Sequence, residues 1–352
     1  MARRIRGRGA AFNTPNRFEE LSREALPPGE YDEPARGVPT RFFTDTSRTI
    51  LARNDSPDLP FTWSINPYRG CEHGCIYCYA RPSHEYLGFS AGVDFETKIL
   101  VKPDAPRLLA RALGAKAWSP QVVALSGNTD PYQNVERRLR LTRRCLEVFL
   151  EYRNPVSLIT KNALVVRDAD ILEEMARMDL VHVMLSVTSL QDDLIRVMEP
   201  RASSPALRLQ AIGELAARGI PVGVNVAPVI PGLTDEEIPA ILEAAAARGA
   251  RAASYILVRF PGSVERLFVE WLERELPARS ARVLGRIRQV RGGALSDARF
   301  HTRGSGQGEL AEAIGALFTL AATRANLTTR WLPLSTARFR RITGGQRELF
   351  DR

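Results

Sequence analysis

The chain has 352 residues, is 44% hydrophobic and 25% charged, and carries a formal charge of +9. That length allows one large core or two modest ones, so a main domain with an extension is expected. No apolar run reaches the roughly 18–20 residues of a membrane span, and the Arg-rich start lacks the apolar stretch of a secretory signal, so the expected location is the cytoplasm.

Residues 1–60 are rich in Pro, Gly, Arg and Asp, show little hydrophobic periodicity, and are expected to form an irregular arm. The basic start Arg3-Arg4-Ile5-Arg6-Gly7-Arg8-Gly9 reads as a solvated end or a phosphate contact. Over residues 61–263, short Val- and Ile-rich segments alternate with helical patterns. Phe61–Ile65, Gln121–Ser126, Val156–Thr160, Val181–Val187, Pro221–Ala227 and Ala252–Val258 are predicted as buried parallel strands. Asp104–Leu113, Leu139–Tyr152, Asp168–Met178, Pro205–Arg218 and Asp235–Arg248 are predicted as the intervening helices, with Gly219 and Gly249 as stops. Six such units fit an open doubly wound sheet or a partial β/α barrel, either of which places chemistry at the C-terminal ends of the strands.

Residues 264–352 form a basic, mainly helical extension in which Val264–Leu276 and Glu309–Asn326 are predicted helices joined by a basic, glycine-containing stretch. This part has 16 Arg against 9 acidic residues, and its net +7 suggests an anionic partner such as nucleic acid. A preference for Arg throughout the chain is the competing, compositional explanation. Arg303–Glu309 reads as a connector or, at a helix N-terminus, a weak phosphate loop.

The chain has four cysteines, three of them within Asn66-Pro67-Tyr68-Arg69-Gly70-Cys71-Glu72-His73-Gly74-Cys75-Ile76-Tyr77-Cys78-Tyr79. Clustered thiols of this kind bind metal more readily than they form a disulfide scaffold. Cys71, Cys75 and Cys78 suit an iron–sulfur cluster with one iron left open to a small molecule. A zinc site completed by His73 is the alternative, against which stands the lack of a second cysteine pair. Cys145 recurs with Leu141, Val148 and Phe149 at helical spacing, as a core residue does.

The CxxxCxxC loop with Tyr77 before its last cysteine resembles the signature of the radical S-adenosylmethionine (SAM) superfamily. Trp63–Arg81, together with Thr129-Asp130-Pro131-Tyr132-Gln133, the Arg-Gly start and Asn16-Arg17-Phe18, resembles a bacterial branch labelled DNA repair photolyase-like, related to spore photoproduct lyase. The resemblance implies a partial (β/α)6 barrel. It also implies a [4Fe–4S] cluster on Cys71, Cys75 and Cys78, SAM on the fourth iron, and a 5′-deoxyadenosyl radical that takes hydrogen from substrate. The implied SAM contacts are Gly127, Asn128, Thr129 and Asp130 after the second strand, Ser186 on the fourth, and Arg201 and Ser204 before the next helix. Pro231 and Gly232 would pack on the adenine, and backbone groups of Tyr77 and Val258 would meet it. The Ser126–Asp130 stretch departs from the two-glycine pattern usual in the family. A reductant such as flavodoxin or ferredoxin is implied as a partner.

Tyr132 and Gln133 are expected to face the cavity as substrate contacts, while His84 and His182 are expected to pack. Lys98 is expected to pair with an acid. Gln346-Arg347-Glu348-Leu349-Phe350 resembles a sliding-clamp peptide. The lyase reaction is not supported, because it needs a further cysteine as hydrogen donor and Cys145 reads as core. The leading expectation is a radical SAM enzyme acting on nucleic acid. A radical SAM enzyme acting on a small molecule or peptide is the second, and a non-enzymatic metal-binding adaptor the third.

Overall fold

The computed structural model describes residues 7–18, 38–331 and 333–342. Its strands are β1 (Arg41–Thr44), β2 (Leu51–Arg53), β3 (Trp63–Ile65), β4 (Tyr68–Arg69), β5 (Lys98–Val101), β6 (Val123–Leu125), β7 (Val156–Thr160), β8 (Val181–Ser186), β9 (Val222–Val229) and β10 (Ala252–Leu257). One sheet runs β10-β9-β8-β7-β6-β3-β2, in which β3, β6, β7, β8, β9 and β10 are parallel and β2 is antiparallel to β3. The six parallel strands are the six predicted, in chain order and with helical connections, as a partial (β/α)6 barrel requires. All six residues of β8 are buried, which a sheet covered on both faces imposes.

The arm is less irregular than expected. Within it β1 joins a second sheet, β1-β5-β4, and β2 extends the main one. The small sheet has a clear task. β4 pairs antiparallel with β5, and its last residue, Arg69, leads through Gly70 into the cysteine loop. Gly70 has φ +78°, and a Cβ there would stand 2.9 Å from Phe95 O and from the His84 ring. Only glycine makes this turn without displacing the loop.

The first residues of the arm are also tied down. The buried Glu96 carboxylate accepts the amides of Arg8 (2.7 Å), Gly9 (3.2 Å) and Ala10 (2.8 Å). Gly9 lies so close that a Cβ would sit 2.1 Å from the Gly74 carbonyl. The expectation of a solvated basic end is therefore corrected for residues 8–10, which lie against the cysteine loop.

In the extension, the predicted connector contains a helix, Pro277–Val290. Its Val283, Ile287 and Val290 are buried at four- and three-residue steps, while the arginines between them face outward or lie at the edge. Residues 327–331 and 333–342 cross the N-terminal ends of the barrel strands. Ala253 N donates to Thr328 O, Trp331 stacks on His182 at 4.2 Å, and Ser335 N donates to Asp179 O. Arg340 and Arg341 spend their guanidiniums on the carbonyls of Glu151, Ala115 and Trp118. Part of the basic surplus thus closes the barrel floor, at the end opposite the cysteine loop. The Gln346–Phe350 string lies outside the described residues. Among the described residues no helix is long and apolar enough to cross a membrane.

Candidate active site

The cysteine loop leaves the C-terminal end of β3 by way of β4, where a β/α fold places its chemistry. Cys71 and Cys75 are buried, Cys78 is half-buried, and none forms a disulfide. The loop backbone is fixed from several sides. Cys71 N donates to Phe95 O (3.0 Å), Ile76 N to Met198 O (3.1 Å) and Cys78 N to Cys75 O (3.2 Å). Arg81, wholly buried, donates to Cys75 O (3.0 Å), Gly74 O (3.1 Å), Ala91 O (3.1 Å) and Gly92 O (3.0 Å), and pairs with Glu96 at 2.5 Å. Burial pushes all three thiols above their ordinary range. Asp130 and the Cys78 thiol add to the effect at Cys71, and Glu199 and the other two thiols at Cys75. The three sulfurs thus act on one another in a closed space. A cationic cluster would reverse this field and draw off their protons.

His73 is not a fourth ligand. Its Nε2 meets the Asn162 amide at 3.1 Å and its Nδ1 lies 3.5 Å from Asp130, so both ring nitrogens are engaged, while burial lowers its pKa. The zinc alternative is corrected on that ground. Three soft thiols, with His73 engaged elsewhere, fit a cluster that leaves one iron open.

Beside Cys75 lies a buried ionic group. Glu199 pairs with Arg208 and accepts hydrogen bonds from Tyr77 and, at 2.6 Å, from Thr188. Burial alone would raise its pKa, but Arg208, Lys161 and these hydrogen bonds outweigh it and hold the carboxyl at about 2. Lys161, just beyond β7, is 3.5 Å from Glu199, donates to Ala227 O at 2.7 Å, and is 5.7 Å from the Tyr77 ring centroid. Two cations therefore share one carboxylate, and the Lys161 side chain keeps 15% of its surface exposed.

The residues proposed from sequence fall into distinct places. Gly127 has open space around its would-be Cβ, its carbonyl accepts from the Tyr79 hydroxyl (2.6 Å), and Asn128 beside it is exposed. Thr129 and Asp130 point into the protein. Thr129 Oγ1 donates to Gly70 O (2.6 Å), and Asp130 accepts from Thr160 Oγ1 (2.7 Å), Lys161 N (2.7 Å) and Tyr132 N (2.9 Å). The Ser186 carbonyl accepts from Arg208 (2.9 Å). The Arg201 guanidinium lies 3.6 Å from Glu72, and Ser204 caps the helix Pro205–Ala217 through Leu207 N. Pro231 is buried, and Gly232 (φ +81°) donates its amide to Asp235 (2.8 Å). The Val258 amide donates to Val229 O and its carbonyl accepts from Arg291.

Tyr132 and Gln133 are corrected as substrate contacts. Tyr132 belongs to the main core and bonds Asp168 at 3.1 Å. Gln133 is wholly buried, accepts from Glu72 N (2.9 Å), and donates to Thr129 Oγ1 (3.0 Å) and Gly70 O (3.3 Å), so it braces the loop. His84 packs edge-on against Phe95 and His182 stacks on Trp331, both as expected. Lys98 pairs with Asp94 at 3.0 Å, and Cys145 lies in the core. Sequence reading missed Arg81, Glu96, Lys161, Glu199 and Arg208. Lys161 alone gave a signal, as a lysine directly after a predicted strand.

A family profile described as the radical SAM superfamily matches residues 65–245. An uncharacterised protein of Mycobacterium tuberculosis is 38% identical over 221 residues, which is 62% of this chain and 65% of that protein. The chain thus spans just under two thirds of that relative. A radical SAM Nalpha-GlyT isomerase of Pseudomonas phage M6 is 25% identical over 211 residues, 57% of this chain and 41% of the isomerase. Among solved structures, spore photoproduct lyase complexed with dinucleoside spore photoproduct superposes with a TM-score of 0.60 at 17% identity, over 84% of this chain and 87% of that one. A lyase variant with bound AdoMet and the same dinucleoside gives 0.60 at 16% identity, over 85% and 87%. At such identity the likeness is one of fold.

Proposed function

The chain belongs to the radical SAM superfamily, and from that footing we propose that Cys71, Cys75 and Cys78 hold its [4Fe–4S] cluster and that it acts on nucleic acid. Family membership sets aside the reading as a non-enzymatic adaptor. The cluster with SAM supplies one-electron cleavage of the sulfonium to a 5′-deoxyadenosyl radical, given a reductant such as flavodoxin or ferredoxin.

The chain's own residues do the positioning. Arg81 and Gln133 fix the loop backbone on which the three sulfurs stand. Lys161, sharing Glu199 with Arg208 beside Cys75 and keeping part of its surface exposed, is the cation this reading assigns to the SAM carboxylate. Glu199 stays ionised and holds the Tyr77 hydroxyl, which fixes the aromatic residue between the second and third ligands. Leu233, Ile230 and Tyr77 pack in one buried apolar cluster, and this reading places the adenine at its edge.

The observation that carries this reading is the CxxxCxxC loop itself, three free thiols within eight residues of one buried loop that follows the first parallel strand of the barrel. The nucleic-acid part is supported by the +9 charge and by a fold match, over most of both chains, to an enzyme complexed with a dinucleoside. Anaerobic reconstitution with iron and sulfide, followed by spectra with and without SAM and by dithionite reduction, tests it. Bound iron, a SAM-dependent spectral change and 5′-deoxyadenosine are expected. Protein that takes up zinc in preference to iron, or that makes no 5′-deoxyadenosine, would overturn it.

A further inference from the structure

Arg259 follows β10, the last strand of the barrel, and lies at the same end as the cysteine loop. Its guanidinium stands over the Tyr79 ring at 4.5 Å and within electrostatic range of Cys78, Arg303 and Asp58. Among the described residues it makes no ion pair and no side-chain hydrogen bond. Its neighbour Arg303 is different. Arg303 is held by Asp58 through Nε at 2.6 Å and also through its terminal nitrogen. Arg259 is half-buried, and burial presses its pKa below the ordinary range, so the charge is partly stripped of water with the Tyr79 ring as its contact among the described residues.

The backbone that carries this charge is fixed by its neighbours in the chain. Val258 is bonded on both sides, to Val229 O and to Arg291. Arg291 also holds Leu257 O (3.2 Å) and Thr302 O (3.0 Å). Phe260, on the other side, is buried and stacks on Phe268 at 4.5 Å. Tyr79 is fixed as well, through its hydroxyl to Gly127 O, yet 45% of its surface is exposed. A cation with five donors, carried on a fixed backbone beside an exposed aromatic ring, suits a group with several acceptor oxygens joined to something flat.

Resting on the nucleic-acid reading, we propose that Arg259 and Tyr79 form a phosphate clamp at the barrel mouth. Arg259 takes a phosphate of the substrate nucleotide, and Tyr79 carries its sugar or base next to Cys78. The phosphate belongs either to a strand or to a free nucleotide, and the two sources separate in the test.

Fluorescence anisotropy of a short labelled single-stranded oligodeoxynucleotide, titrated at several salt concentrations, is compared with competition by a nucleoside monophosphate. The reconstituted full chain is used as wild type, R259A, R259K and R338A. Arg338 is an exposed arginine on the floor segment and controls for net charge. R259A is expected to bind the strand about tenfold more weakly, and its salt slope to fall by about 0.7, one phosphate contact on a single strand. R259K should keep the slope and lose part of the affinity, and R338A should match wild type. If only the monophosphate depends on Arg259, the clamp stands and its ligand is a free nucleotide. If wild type binds the strand with ordinary salt dependence and R259A matches it in affinity and slope, the clamp is overturned while the nucleic-acid reading survives. If wild type binds neither probe, both fall. Thermal melts of R259A matching wild type would show that the fold is intact.

Discussion

Glu96 and Arg81 meet at 2.5 Å with both side chains wholly buried, and between them they tie the arm, the cysteine loop and the Ala91–Gly92 turn to one point. Arg81→Met should leave Glu96 uncompensated, at a cost on the order of 3–5 kcal/mol. Urea denaturation of the apo protein checks the stability, and iron content after reconstitution checks the loop. Glu96→Gln, which keeps the shape, should lose less stability, while its arm should be cut faster by a protease.

Each of Cys71→Ala, Cys75→Ala and Cys78→Ala should abolish stoichiometric iron and the visible absorbance of the reconstituted protein. Cys145→Ala removes only a core sulfur and should cost roughly 1 kcal/mol, with iron content and 5′-deoxyadenosine formation at wild-type level. Iron and sulfide assays on the four variants decide this. Iron retained by any one of the three loop variants at wild-type level would remove that residue from the ligand set.

Lys161→Met should leave the iron content unchanged and weaken SAM binding by roughly tenfold, the worth of one hydrogen bond to a charged group. A SAM titration followed by the cluster's spectral change reads this directly. An unchanged midpoint would assign the carboxylate to another residue.

Glu199 has a folded pKa of about 2 against an ordinary value of 4.5. The folded carboxyl binds its proton more weakly, so its stabilisation is present above about pH 4.5 and is lost as the pH falls towards 2. The full contribution is on the order of 3 kcal/mol. Stability of wild type and Glu199→Gln, measured by denaturant from pH 7 down to 2, should differ at neutral pH and converge in acid. A gap independent of pH would remove the linkage.

The strands were legible because Val- and Ile-rich runs such as Val181–Ser186 leave few other folds open, and the cysteine spacing carried the family. The helix Pro277–Val290 was missed because its arginines outweigh the three buried apolar residues of its inner face. Tyr132 and Gln133 sit on the right loop but point inward, a choice made by Asp168 and Glu72, which lie 36 and 61 positions away. Arg81 with Glu96 and Arg208 with Glu199 are ion pairs whose burial depends on tertiary packing, and local periodicity carries no trace of it. The three thiols could be read from a single stretch of eight residues. Their surroundings could not.

The bond from Arg8 to Glu96 spans 88 positions. On the ribosome, residues 8–10 emerge well before the carboxylate that will fix them, and before the loop they will cover. A newly made chain therefore passes through an interval in which the cysteine loop exists and its arm-side face is bare.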